Sequence, residues 1–287
     1  MDGLTFLRRI MAGDPLPVVI CSANAARGSE TAMRALHEGA VDVILKPQLG
    51  VREFLAESAV VVADTLRAAA QARILRRAAP SLRDGENALV RKSMPAKPRA
   101  SERVIAVGAS TGGTEALREI IEALPADAPG MVVVQHMPAG FTAAFARRLD
   151  ALARVRVKEA ESGDEVTRGR VLIAPGDRHM TLRRNGAGYI VQLAGGPLVS
   201  RHRPSVDVLF RSSAQSAGAN AVGVLLTGMG DDGADGMAEL RRAGARTIAQ
   251  DEASSVVFGM PKEAIERGAA GEVLPLTAIA SRIQELA

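Results

Sequence analysis

Aromatic residues make up only 2% of this 287-residue chain, with no tryptophan and one tyrosine. A core built without them must be aliphatic, and at 47% hydrophobic residues the chain can form one of ordinary size. A single cysteine, Cys21, excludes an internal disulfide and fits a reducing compartment. No apolar run reaches the ~20 residues of a membrane span, and the N-terminus lacks the basic-then-apolar pattern of a signal peptide. The reading is a cytoplasmic protein without membrane insertion. His, Cys and carboxylate clusters at metal-ligand spacing are missing, so neither a metal nor a cofactor is expected. A basic face interleaved with aromatics is missing too. Residues 71–103 carry nine Lys/Arg against three Asp/Glu, more than the net +4 of the whole chain. The basicity therefore belongs to one segment, which reads as a solvated linker and argues against nucleic acid as a partner.

What the chain does have is a sharp turn. The apolar run Val104-Ile105-Ala106-Val107 stops at Gly108, and an amphipathic helix pattern runs from Glu115 to Leu124. Between them Gly108-Ala109-Ser110-Thr111-Gly112 fits G-x-S-x-G, the pattern of a serine nucleophile between strand and helix. The glycines allow a strained turn that lifts the hydroxyl above the sheet. The helix N-terminus beyond offers unpaired N–H groups for an oxyanion. Two other readings stand beside this one. Ser110 or Thr111 caps the helix, or the turn cradles a phosphate. The spacing matches neither a dinucleotide fingerprint nor a P-loop.

Two α/β segments flank the linker. Residues 1–77 alternate a helix (Leu4 to Met11), a strand (Pro17 to Cys21), a helix capped by Ser29 (to Glu38), a strand (Ala40 to Leu45) and a long helix from Val51 to about Arg77. That alternation implies parallel strands. Residues 78–102 carry Pro80, Gly85, Pro95 and Pro98 with no apolar periodicity. From Arg103 onward a doubly wound, mostly parallel sheet is predicted, with one β-hairpin at Asn185-Gly186. Its strands are Arg103 to Val107, Gly130 to Gln135, Val155 to Val157, Val171 to Ala174, Ala221 to Leu226, Thr247 to Gln250 and Glu272 to Leu274. Its helices are Glu115 to Leu124, Phe141 to Leu152, Ser205 to Ala217, Ala234 to Arg242, Pro261 to Arg267 and Thr277 to Leu286.

Ser110, His136 and Asp232 each come just past the carboxyl end of an apolar strand. In an open parallel sheet those ends share one edge, where ligands bind. A histidine there can take the serine proton, and a carboxylate behind it fixes the tautomer. Each member has rivals. Asp177 with His179 completes a Ser-Asp-His order, as in other hydrolases. His202 can line the cleft or help place Ser205. His37 reads as a surface residue, and Asp207 as a first-turn charge. Of Asp231 and Asp232 only one can point at a histidine. Ser254 and Ser255 lie in a loop without a nucleophile turn.

Several stretches together carry a resemblance. They are Val107-Gly108-Ala109-Ser110-Thr111-Gly112-Gly113-Thr114-Glu115-Ala116, Gln135-His136-Met137-Pro138, Ile173-Ala174-Pro175-Gly176-Asp177, His202-Arg203-Pro204-Ser205-Val206-Asp207, Leu226-Thr227-Gly228-Met229-Gly230 and Phe258-Gly259-Met260-Pro261. Residues 103–287 resemble the catalytic domain of the bacterial chemotaxis protein-glutamate methylesterases. The resemblance implies a serine hydrolase that demethylates glutamate methyl esters, and deamidates glutamines, on methyl-accepting chemotaxis receptors. It carries the triad onto Ser110, His136 and Asp232, the last because the family aspartate directly precedes Gly-Ala. It also makes Thr111 and Met229 cleft positions near the oxyanion. Residues 1–77 resemble the second half of a flavodoxin-like response-regulator receiver. Ser22 matches its hydroxyl switch and Lys46 its phosphoryl-contacting lysine. The phosphoacceptor aspartate and the first three strands are expected to be absent, leaving an unpaired edge and an uncovered apolar face. In that family the receiver covers the active site and inhibits it until phosphorylated, and the chemotaxis histidine kinase is the partner of a complete receiver. Activity here is expected not to respond to a phosphodonor.

Overall fold

The computed structural model describes residues 2–22, 25–46, 62–73 and 100–286. The first segment contains helix α1 (Gly3–Ala12), strand β1 (Val19–Ser22), helix α2 (Ala25–His37), strand β2 (Asp42–Leu45) and helix α3 (62–71). β1 and β2 pair in parallel, with Val19 opposite Asp42 and Ser22 opposite Leu45. Helix α2 starts four residues ahead of Ser29, so Ser29 lies within the helix and does not cap it. Helix α3 stops at 71, short of Arg77. There the chain turns aside because the Arg73 N–H donates to Val256 O, 2.9 Å away, and a tertiary bond outweighs helix propensity. The rest of that predicted helix, 51–61 and 74–77, lies outside the described residues, as does 78–99 of the predicted linker. The linker's last residues already belong to the fold. Ala100 bridges Thr167, and the buried Ser101 hydroxyl accepts from Gly130 N–H at 2.9 Å.

The larger unit is a seven-stranded, wholly parallel sheet. In chain order its strands are β3 (Val104–Ala109), β4 (Gly130–Gln135), β5 (Arg156–Glu159), β6 (Arg170–Ile173), β9 (Ala221–Leu225), β10 (Arg246–Gln250) and β11 (Glu272–Leu274). Between β6 and β9 comes the expected antiparallel hairpin, β7 (His179–Asn185) and β8 (Gly188–Ala194). Its turn centres on Gly186 and Ala187 rather than on Asn185-Gly186, since Asn185 pairs with Gly188. The spatial order is β11-β10-β9-β3-β4-β6-β5. The chain leaves β3 toward β4 and later returns to lay β9 on the other side. That reversal makes the carboxyl ends of β9, β3 and β4 the switch point of the sheet.

Alternation along the strands explains the two covered faces. Ile105, Val107, Met131, Val133, Val222 and Val224 face one core with α4 (Gly113–Ala123), α5 (Thr142–Leu152) and α9 (Leu276–Glu285). Val104, Ala106, Val132, Val134 and Leu225 face the other, with the hairpin, α6 (Val206–Ala217), α7 (Ala234–Arg242) and α8 (Met260–Glu266). Leu7, Met33, Leu36 and Val43 of the N-terminal segment belong to the first core. The expectation of an uncovered apolar face is corrected to that extent: packing beside α4 and α5 buries these side chains, although Phe6 and Leu16 stay exposed.

Candidate active site

Ser110 follows β3 directly. Ala109 pairs with Gln135, and His136 N–H donates to Ala109 O at 3.0 Å, so Ser110 and His136 leave adjacent strands at the same level. Neither Ser110 nor Thr111 caps α4. Its N-cap is Gly112, left-handed at φ 79°, with no side-chain cap, and a Cβ there would lie 2.5 Å from Val256 Cβ. Among the described residues the non-glycines with positive φ are Asp177, Ser200 and Arg201. The left-handed kink of the turn therefore sits on Gly112, not on the serine. From the other side the β9 loop presses against Ser110. Ser110 N–H donates to Thr227 O at 3.0 Å, and a Cβ on Gly228 would come within 2.6 Å of Ser110 Cβ. That close approach is made by Gly228, the residue before Met229.

His136 Nε2 lies 2.8 Å from Asp232 Oδ2. A carboxylate only accepts, so Nε2 carries the proton and Nδ1 keeps its lone pair. Nδ1 is buried and has no hydrogen-bond partner among the described residues. Asp232 is itself tightly held. Its Oδ1 accepts from the Ser205 hydroxyl at 2.7 Å and from Asp207 N–H at 3.0 Å, and its Oδ2 also accepts from Val206 N–H at 2.7 Å. The carboxylate thus sits in the first turn of α6, where N–H groups and the helix dipole favour an anion. Burial alone would push this carboxyl up. The bond and charge of His136 and the two backbone N–H groups outweigh it and hold the carboxyl below its ordinary range.

The structure separates the rivals. His179 Nδ1 accepts from Ser205 N–H at 3.2 Å, and its Nε2–H donates to Pro197 O at 2.9 Å. Both of its nitrogens are committed to backbone, and Asp177 pairs with Arg203 instead, at 2.9 Å from Nε. Asp231 turns outward to Arg267, 3.1 Å away. Asp207 lies in the first turn of α6, as read from the sequence. It is buried, and its Oδ1 accepts from Gly233 and Gly236 N–H at 3.1 and 2.7 Å, capping α7. Burial, with the nearby charge of Asp232, raises its carboxyl, partly offset by Gly236 N–H. Ser254 and Ser255 bond within their own loop, to Asp251.

Of three further residues near the site, Gln135 and Asp42 have no role readable from the sequence, and His202 reads there as lining the cleft or helping to place Ser205. The buried Gln135 Nε2 donates to Ser110 O at 2.8 Å and to His136 O at 3.2 Å, tying nucleophile turn to base. Asp42, at the start of β2, accepts from the Thr111 hydroxyl at 2.9 Å. His202 stacks on His136, with ring centroids 3.7 Å apart and planes 9° from parallel. The bonds of Gln135 to Ser110 and of Asp42 to Thr111 join residues far apart in sequence, which no local pattern encodes. Ser22 and Lys46 close β1 and β2, and Lys46 N–H donates to Ser22 O at 2.7 Å. Among the described residues no His, Cys, Asp and Glu gather as three or more metal ligands, and no helix is long and apolar enough to cross a membrane.

A parallel α/β sheet with a serine turn and a buried His–Asp pair at its switch point defines a hydrolase of the α/β class. Residues 105–283 match the CheB methylesterase family, and the chain belongs to that family of ester hydrolases. It is 62% identical to protein-glutamate methylesterase/protein-glutamine glutaminase 5 of Anaeromyxobacter dehalogenans, over 100% of this chain and 80% of the relative. It is 57% identical to protein-glutamate methylesterase/protein-glutamine glutaminase 3 of Geobacter metallireducens, over 100% and 82%. Among solved structures, the Thermotoga maritima CheB methylesterase catalytic domain superposes with a TM-score of 0.63. It is 42% identical, covering 64% of this chain and 98% of that one.

Proposed function

We propose that the chain demethylates glutamate methyl esters, and deamidates glutamines, on chemotaxis receptors through an acyl-enzyme on Ser110. The carrying observation is His136: one nitrogen on Asp232, the other buried and unpartnered one residue past the strand end beside Ser110. Ser110 Oγ attacks the side-chain carbonyl and His136 Nδ1 takes its proton. The same proton passes to the departing methoxy oxygen or amide nitrogen, which leaves as methanol or ammonia as the tetrahedral intermediate collapses. Water then gives a proton to His136 as it attacks the acyl carbon, and His136 returns that proton to Ser110 Oγ as the acyl–oxygen bond breaks, releasing glutamate and free Ser110. Asp232 holds the tautomer and balances the imidazolium charge. Thr111, next to Ser110 in sequence, and Met229, next to the Gly228 that packs on Ser110, are the positions for oxyanion contacts. The substrate assignment draws on the names of the relatives above.

The N-terminal segment supports a covering role. While the Thr111 hydroxyl donates to Asp42 it cannot donate to an oxyanion. Ser22 and Lys46 are the positions for a receiver's switch and phosphoryl contact, with the chemotaxis histidine kinase as the partner of a complete receiver.

The test is Ser110→Ala on a peptide bearing a glutamate γ-methyl ester. A loss of at least ~10³-fold in kcat is expected by analogy with other triads. Labelling of wild type at Ser110 by a serine-directed phosphonate should accompany it. A variant that keeps most of its hydrolysis, or tight phosphate binding without labelling, overturns the reading in favour of a non-catalytic module.

A further inference from the structure

We propose that His202 is a positioning residue for the general base: its ring is the flat, neutral platform on which the His136 imidazolium forms. This rests on the catalytic reading above. An imidazole held by one edge bond, here Nε2 to Asp232, can still tilt about that bond. A second ring lying flat 3.7 Å below, at 9°, stops the tilt and leaves Nδ1 aimed along one direction. The platform is firmly mounted. His202 N–H donates to Val199 O at 2.9 Å, and Val199 N–H donates to His202 O at 3.1 Å. The two residues between them, Ser200 and Arg201, are left-handed at φ 49° and 66°. Neither is a glycine, and such strain persists only where the surroundings enforce it. Here Ser200 Oγ lies 3.4 Å from Asp207 Oδ2, and Arg201 lies 3.2 Å from Asp64.

The charges around the stack decide which ring takes the proton. His136 faces Asp232 directly and feels Asp42, while Asp207 stands behind Asp232. His202 faces His136, Asp232 and Arg201. Burial first, then the closeness of His136 and Arg201 against the pull of Asp232, takes the His202 ring down to about 3. One ring of the pair is therefore uncharged at neutral pH. A neutral π face against a cation attracts it, whereas two stacked cations repel. The platform thus favours the imidazolium that forms in the transition state more than the neutral base of the ground state, and belongs to kcat rather than to binding.

The full-length protein with His202→Leu and His202→Phe tests this on the γ-methyl-ester peptide. Leucine keeps the site apolar but removes the π face, and phenylalanine keeps the face. The expected result for His202→Leu is an approximately tenfold fall in kcat with KM within about twofold. The acid limb of its kcat/KM profile should move to lower pH. His202→Phe should recover most of kcat and the wild-type limb. Thermal unfolding of each variant guards against misfolding, and His202→Gln, also without a π face, carries the leucine expectation if leucine does not fold. A leucine variant with wild-type kcat and acid limb overturns the inference. So does a loss confined to KM, or a phenylalanine variant no better than leucine. In each of those cases wild type still labels at Ser110. Absence of labelling and hydrolysis in wild type would instead remove the catalytic reading itself.

Discussion

At the scale of single residues, the informative contrast is between His136 and His179. Both are buried or nearly so, and both face the start of α6, but His179 spends its two nitrogens on Pro197 O and Ser205 N–H. His179→Ala should leave Ser205 N–H buried without an acceptor, at a cost of about 1–3 kcal/mol. The expected outcome is a lower urea midpoint with kcat reduced no more than about tenfold. His136→Ala should cost at least ~10³-fold in kcat. Reversal of that order in a side-by-side kinetic comparison would restore Asp177 and His179 as the working pair. Residue spacing nominated both histidines without choosing, and it was the family resemblance that pointed to His136. The choice depends on which atoms of Pro197 and Ser205 come within reach, and those meet only in the folded chain. Likewise Asp231 and Asp232 are equivalent by spacing; the resemblance chose Asp232, and in the fold Arg267 draws Asp231 outward while His136 and the start of α6 hold Asp232. Ser110 was readable because the constraint on it is local: a strand end, a small-residue turn and a helix start within eleven residues.

At the scale of elements, continuous apolar runs, buried along their whole length in β3, β4 and β9, made the sheet legible, and Asn185-Gly186 made the hairpin legible. The boundaries of α2 and α3 were less so, because tertiary bonds such as Arg73 to Val256 set one of them. The most consequential element end is that of α6. Ser205 is its N-cap, accepting from Val208 N–H at 3.4 Å while its hydroxyl donates to Asp232. Ser205→Ala is expected to lower stability by about 1 kcal/mol, as cap removals do. Because Asp232 loses one donor, kcat should also fall several-fold while KM changes little. Calorimetry and steady-state kinetics on one preparation check both halves, and a variant changed in stability alone would show that the serine serves only the helix.

At the scale of the whole molecule, the N-terminal segment docks mainly through apolar side chains of the shared core. Its ion pair from Arg73 to Glu252 is more than half exposed on both partners and contributes little. Asp42 adds a pH-sensitive contact. Burial pushes its carboxyl up to about 6, while Val43 N–H, the Thr111 hydroxyl and His136 pull it down. The unfolded value is ~3.9, so the native state holds this proton more tightly. Its contribution to stability is therefore fully present below pH ~4 and is lost as pH rises through about 6. Thermal midpoints measured across that window should decline more steeply for wild type than for Asp42→Asn, and parallel curves would rule the contact out as a titrating one. The Asp232 corner has a consequence of another kind. Because one carboxylate both steadies the imidazole and anchors a helix, a descendant that abandoned catalysis could not simply let that aspartate drift. It would first have to rebuild the corner, so the chemistry here is sheltered from casual decay by the architecture it is wired into.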